Sequence, residues 1–90
     1  MAILFVIDPA DNVAVALEDI PVGTVTSTGA VSETIQVGEP IPRGHKTALR
    51  PIVAGEAVVK HGHLIALATE EIPAGRWVHV HNAKSPSSPD

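Results

Sequence analysis

The 90-residue chain contains no cysteine, and its only aromatic residues are Phe5 and Trp77. Without cysteine there are no disulfides and no thiolate metal sites. Apolar residues make up 44% of the chain and aromatics 2%, so the interior must be assembled from Val, Ile, Leu and Ala. The β-branched share of that set favours strands. No basic run exists, and ten acidic against six basic residues leave a formal net charge of −4. That balance argues against nucleic acid or an anionic membrane as the main partner. The opening apolar run, "AILFVI", is far too short to span a membrane and lacks a basic segment or cleavage site around it. No apolar period of 3.6 extends beyond two turns, so little helix is expected. These absences point to a small cytoplasmic domain. A chain of this size buries only roughly 60–65% of its unfolded surface, so its core must be small.

What is present is a repeat. "DIPVG" at 19–23, "PIPRG" at 40–44, "PIVAG" at 51–55 and "EIPAG" at 71–75 each carry isoleucine second and glycine fifth. Three of them have proline third. Proline presets φ for the first central position of a turn, and glycine takes the left-handed position that follows. The intervening Val22, Arg43, Ala54 or Ala74 is never glycine, which favours type I over type II. Tight turns are therefore predicted near 21–23, 42–44, 53–55 and 73–75, each anchored to the core by its isoleucine. Between them lie short strand candidates: "AILFVI", "NVAVALE" with Val13, Val15 and Leu17 on one face, "TVTSTG", "ETIQVGE", "HKTALRPIV", "AVVKHGHLIALATE" and "RWVHVHN". "DPADN" reads as a turn. The predicted fold is all-β with short strands and tight turns over residues 1–82. The Ser- and Pro-rich "AKSPSSPD" (83–90) is expected to be a disordered tail.

All five histidines lie after residue 44: His45, His61, His63, His79 and His81. They fall at or just beyond successive repeat turns. In an extended strand, side chains alternate between faces, so His79 and His81 in "HVHN" project the same way. The residues alone leave three readings of that pair open: a metal site, a substrate site, or two solvated side chains. His61 and His63 share a parity too, but Gly62 interrupts it. Other chemistries lack their parts. No serine sits in an elbow-like context for acyl transfer. The acidic pairs Glu18/Asp19 and Glu70/Glu71 sit at turn starts and read as solvated, and no glycine-rich phosphate loop is present. Two imidazoles alone are too few ligands for a closed metal site. The chain looks like part of a catalytic centre, not the whole of one.

The stretch "IPRGHKTALRPIVAGEAVVKHGHLIALATEEIPAGRWVHVHN", residues 41–82, resembles the SAF domain of the altronate and galactarate dehydratase family. The resemblance rests on three ordered motifs: a "GHK" turn, an I-x-x-G-E-x-V segment running to His61-Gly62, and the closing G-x-W-V-H-x-H-N. "DPADNVAVALEDIPVG" resembles the same domain's opening strands. His61 stands where that family more often has tyrosine. The resemblance implies a β-clip fold, and a role as the small subunit or N-terminal domain of an enzyme that dehydrates sugar acids to 2-keto-3-deoxy acids. It further implies a large catalytic subunit as partner, a sugar-acid substrate, and a divalent metal (iron or manganese) in the full enzyme, none of it held stably by this chain alone. Self-association is left open. Carried over by position, Gly44, His45, Lys46 and Asn82 would bind substrate. His79 and His81 would act in proton transfer or hold metal. Two other readings accompany this one: the small subunit of a sulfolactate sulfo-lyase, and a free-standing SAF module that binds ligand without chemistry.

Overall fold

A computed structural model describes residues 2–86, and every regular element in that range is a strand. In chain order they are β1 (Leu4–Val6), β2 (Val13–Ala16), β3 (Gly23–Thr26), β4 (Thr28–Gly29) and β5 (Thr34–Val37). β6 (Lys46–Ala48), β7 (Ala57–Lys60), β8 (His63–Ala68), β9 (Trp77–Val78) and β10 (Ala83–Lys84) follow. One sheet runs β4-β1-β2-β6-β9, a second β10-β8-β7, and a third is the hairpin β3-β5. Apart from the parallel β1–β4 contact, all pairings are antiparallel. The all-β expectation holds.

The repeat explains how the small core divides. Ile20 and Ile41 exchange both backbone hydrogen bonds at 2.9 Å, and Ile52 and Ile72 do the same at 2.9 and 2.7 Å. All four isoleucines are buried, the first pair in one apolar cluster and the second in another. A proline adjoins each isoleucine, and having no N–H it offers nothing to extend the pairing. Each pair therefore remains an isolated clamp, one per cluster. After three of the four repeats the predicted turn forms. His45, Glu56 and Arg76 donate to the carbonyls of Pro42, Val53 and Pro73 at 3.0, 3.0 and 3.2 Å. The first repeat departs from the expectation: Gly23, at φ +144°, opens β3 instead of closing a turn.

Two further expectations are corrected. On β2 the valine-leucine face is not the buried one. Ala14 and Ala16 enter the first cluster and Val13 the second, while Leu17 is 45% exposed. The two clusters reach β2 from opposite faces at Val13 and Ala14, while Val15 stays only half-buried. The tail also begins later than residue 83. Ala83 and Lys84 pair with Ala68 and Leu67 of β8, and Ala83 packs on the second cluster. Residues 87–90, the remainder of the expected disordered tail, lie outside the described residues.

The segment read as a simple turn carries a cluster of long-range polar contacts. The buried Asp11 carboxylate accepts N–H bonds from Asp8, His61 and Gly62 at 3.1, 2.9 and 2.9 Å. Asn12 donates from its amide to the Ala57 carbonyl and accepts from the Val59 N–H, both at 2.8 Å. Together they fasten the start of β2 to the β7–β8 hairpin. Burial opposes ionisation of Asp11, but the three N–H donors and the nearby His61 outweigh it and hold its pKa below the ordinary 3.8. This stabilisation is present above pH 3.8 and is lost as pH falls through the lower folded-state value. Asp11→Asn places an NH₂ against N–H donors and should destabilise the fold by about 1–3 kcal/mol. Urea unfolding of both proteins checks this: the gap should be widest near pH 7 and shrink below pH 3.8. A gap independent of pH would contradict the assignment.

Candidate functional site

β6 and β9 pair where the two apolar clusters meet: Trp77 packs on the first and Val78 enters the second. The Pro42–His45 turn, with Gly44 at φ +85°, delivers His45 and Lys46 to this seam. β9 ends at Val78, so His79 and His81 are not alternate residues of one strand. Residues 79–82 curl instead. The Asn82 and Ala83 N–H groups bond the His79 carbonyl at 3.1 and 3.0 Å. Asn82 itself is buried; its amide donates to the Trp77 carbonyl at 2.7 Å and accepts from the His79 N–H at 2.9 Å.

The curl places imidazoles around one indole. His79 stacks on Trp77 with ring centroids 5.1 Å apart and planes 12° apart. His81 lies tilted at 5.6 Å, and His45 meets the indole edge-on at 5.3 Å. His45 and His79 are themselves 4.8 Å apart. The Trp77 Nε1–H donates to His45 Nδ1 at 3.2 Å. Indole is a donor only, so His45 Nδ1 must accept and its proton resides on Nε2. His45 thus keeps an N–H donor on Nε2. Partial loss of water around His79, followed by the electrostatic influence of His45, Lys46 and His81, lowers its pKa below 6.5. At neutral pH His79 is an uncharged base.

Beside this cluster runs a groove of about 330 Å³. Lys46, His79, Lys84 and Ser85 line it with the apolar Ile65, Val78, Val80 and Ala83. Burial, then the charge of Lys60, lowers the Lys46 pKa below 10.5.

Of the residues expected at the site, His45, Lys46, His79 and His81 come together. Gly44 and Asn82 serve differently. The Gly44 N–H is bonded to the Ala16 carbonyl at 2.7 Å, so the glycine contributes a turn and not a substrate contact. Asn82 has both ends of its amide on backbone, so it holds the loop and does not face a ligand. His61 and His63 sit on the β7–β8 turn, 6.0 Å apart, with ring contacts only to each other among the described residues. Trp77 and Lys84 were not singled out from the sequence. The available signal for Trp77 was its being the sole tryptophan; Lys84 was hidden in a segment read as tail. His79 and His81 form no closed metal shell by themselves. Among the described residues no three His, Asp or Glu side chains are placed to hold an ion, and the imidazoles surround an indole instead of a common point.

The sequence model of the altronate/galactarate dehydratase SAF domain matches residues 2–86. The chain belongs to this family. The SAF domain is 43% identical to the altronate dehydratase of Escherichia coli K12 over 75 residues, covering 83% of this chain and 15% of that enzyme. It is 33% identical to the galactarate dehydratase (L-threo-forming) of the same organism over 81 residues, 88% of this chain and 14% of that one. It therefore spans only about one seventh of these dehydratases. Against the (2R)-sulfolactate sulfo-lyase subunit alpha of Chromohalobacter salexigens, identity is 34% over 91 residues, covering 94% of this chain and 97% of the subunit. The same domain thus occurs within long dehydratases and as a subunit of similar length. Among the described residues no helix is long and apolar enough to cross a membrane.

Proposed function

We propose that this SAF domain acts as the small subunit of a sugar-acid dehydratase, completing a site on a large catalytic chain. The observation that carries this reading is the cluster of His45, His79 and His81 around Trp77, open to a groove that holds Lys46. Dehydration of a sugar acid needs a base for the proton beside the carboxylate, an acid for the departing hydroxyl, and a charge opposite the developing enolate. His79, uncharged at neutral pH, suits the base. His45, with its proton held on Nε2, can donate to a hydroxyl. Lys46 supplies positive charge, and His81 extends the cluster toward solvent. The groove is too open, and its acid-base set too sparse, for this chain to act alone. The family resemblance implies a divalent metal in the full enzyme; the residues here do not form its shell, and no step is assigned through it.

A second reading is supported by the length match to sulfolactate sulfo-lyase subunit alpha. There the group leaving from the carbon beyond the acidic one would be sulfite instead of water, and the base would do the same work. Turnover of altronate, galactarate and sulfolactate, measured with each chain alone and with both, tests the two together. The expected result is no turnover from this chain, turnover with both, and a drop of about 10-fold or more for His79→Ala in the complex. Full activity from the large chain alone would overturn the shared-site reading.

A further inference from the structure

One face of the five-stranded sheet is covered over only part of its width. Residues directly opposite each other on antiparallel strands share a face. The pairings of Phe5 with Val15, Val15 with Lys46 and Lys46 with Val78 therefore set these side chains in one row. By alternation Val13 and Ala48 belong to the same face. Val13, Ala48 and Val78 are buried in the second cluster, packed with Val58, Ala66 and Ala68 of the β7–β8 hairpin. At the β1–β2 end the face is open. Phe5 is 37% and Leu17 45% exposed, and Ile3 and Val15 beside them are only half-buried. The Leu17 N–H bonds the Ile3 carbonyl at 2.9 Å, which sets these two side by side. Lys46, within the row, also lines the groove beside His79, whose lining includes the exposed Ile65 and Val80. The site's groups thus lie within one stretch of apolar surface, running from Phe5 and Leu17 past Lys46 to Ile65 and Val80.

We propose that this stretch is the docking face for the large catalytic chain, with apolar side chains of that chain seated on Phe5, Val15 and Leu17. Its own polar groups then come over Lys46 and His79. The face rests on the small-subunit reading and adds where the two chains meet. An exposed apolar stretch of this kind marks a surface that a partner covers. Its occupant must be large. The open part of the sheet offers only Ile3, Phe5, Val15 and Leu17, far short of the roughly 20–30 residues a side of a standard interface. A stable contact must therefore extend across the groove as well. A second copy suits this poorly, because a twofold axis through the stretch sets the two copies' Lys46 ammonium groups against each other. A large chain does accompany the domain in its long relatives. The matching segment is 15% of the Escherichia coli altronate dehydratase, so most of that enzyme lies outside it. Docking here also closes the groove against water, which strengthens every charge inside it.

The test is calorimetric titration of the full chain into the large chain used for turnover. Phe5→Glu and Leu17→Glu should each raise Kd by about 10-fold or more, since the contact would bury a carboxylate without a partner. Val53→Glu, at a side chain 55% exposed on the third repeat turn and outside the stretch, should leave Kd unchanged. With the large chain in excess, Phe5→Glu and Leu17→Glu should regain the turnover of the unaltered pair, whereas His79→Ala should not. The first two change assembly and the third changes chemistry. If Phe5→Glu fails to fold, Leu17→Glu decides, its side chain being the more exposed of the two. Equal losses from Leu17→Glu and Val53→Glu, or no binding between the unaltered chains, would overturn the face. So would sedimentation of this chain alone as a dimer that Leu17→Glu dissociates, because a second copy would then be the occupant. Binding through this face without turnover leaves the face standing and the lyase reading lost. Turnover with a Kd indifferent to Phe5 and Leu17 does the reverse.

Discussion

Gly75→Ala is expected to lower stability by about 3 kcal/mol or more, enough to reduce the melting temperature by roughly 15 °C in a domain of this size. Two independent causes act at this position. Gly75 has φ +82°, where a side chain is strained. It is also buried, and a Cβ there would run into the carbonyl oxygen of Gln36, with the Val37 Cα only 3.2 Å away. Neither neighbour can swing aside, because both are backbone of β5. The turn is pinned as well: the Gly75 N–H bonds the Ala48 carbonyl at 2.8 Å, and its carbonyl receives the Gly38 N–H at 3.1 Å. Gly55 fills the equivalent place in the third repeat at φ +88°, yet nothing lies within 4 Å of its Cβ direction. Gly55→Ala should therefore cost only about 1 kcal/mol. Thermal and urea unfolding of the two variants separate the causes. Equal losses would mean that close packing against β5 contributes nothing and conformation alone matters.

That contrast shows what a repeat can and cannot convey. The spacing of isoleucine, proline and glycine foretold four buried anchors and three of the turns, because both follow from local chemistry. It could not foretell that the first repeat clamps the second and the third the fourth. Those partners meet only when the chain has folded, across some twenty residues in each case. Gly23 and Gly75 look alike in sequence and both lie beside β5, but Gly23 pairs with Val37 and has open space where a Cβ would point, whereas a Cβ on Gly75 would point into the Gln36 carbonyl. Asp11 and Asn12 teach the same lesson. Residues of their type favour turns, and they do form one, but their side chains bond backbone that lies 45 to 51 residues away.

At the site, the residues were legible and their arrangement was not. Strand parity put His79 and His81 on one face. The structure brings them to one indole through a turn, because Asn82 reaches back to the His79 N–H and the Trp77 carbonyl. The His-x-x-Asn spacing was the available signal: asparagine readily bonds backbone a few residues away and so competes with a strand. The motif's asparagine is thus explained by loop geometry. Its histidines are explained by what the loop presents. Trp77 is what the sequence left without a role, and its indole lies against three imidazoles.

Trp77→Ala should consequently have the largest effect of any single change on the site. The indole packs on the first cluster and touches His45, His79 and His81, so its removal should cost about 3 kcal/mol. The sharper readout is titration. Shielding from water is the leading cause of the low His79 pKa, and the stacked indole, 5.1 Å away, covers one face of the ring. Exposing that face should move the His79 value up toward 6.5. A base whose folded value is lowered binds fewer protons than in the unfolded chain just below pH 6.5, so stability falls as pH drops through that window. In Trp77→Ala this acid-linked loss should shrink. Trp77→Phe keeps a ring for His79 but removes the N–H that fixes the His45 tautomer. It should retain the low His79 value while freeing His45 to place its proton on either nitrogen, which ¹⁵N shifts report directly. In a complex with the large subunit, Trp77→Ala should lower turnover by about 10-fold or more, with Trp77→Phe in between. If His79 titrates identically in all three proteins, the indole is packing alone, and the imidazoles owe their placement to the loop.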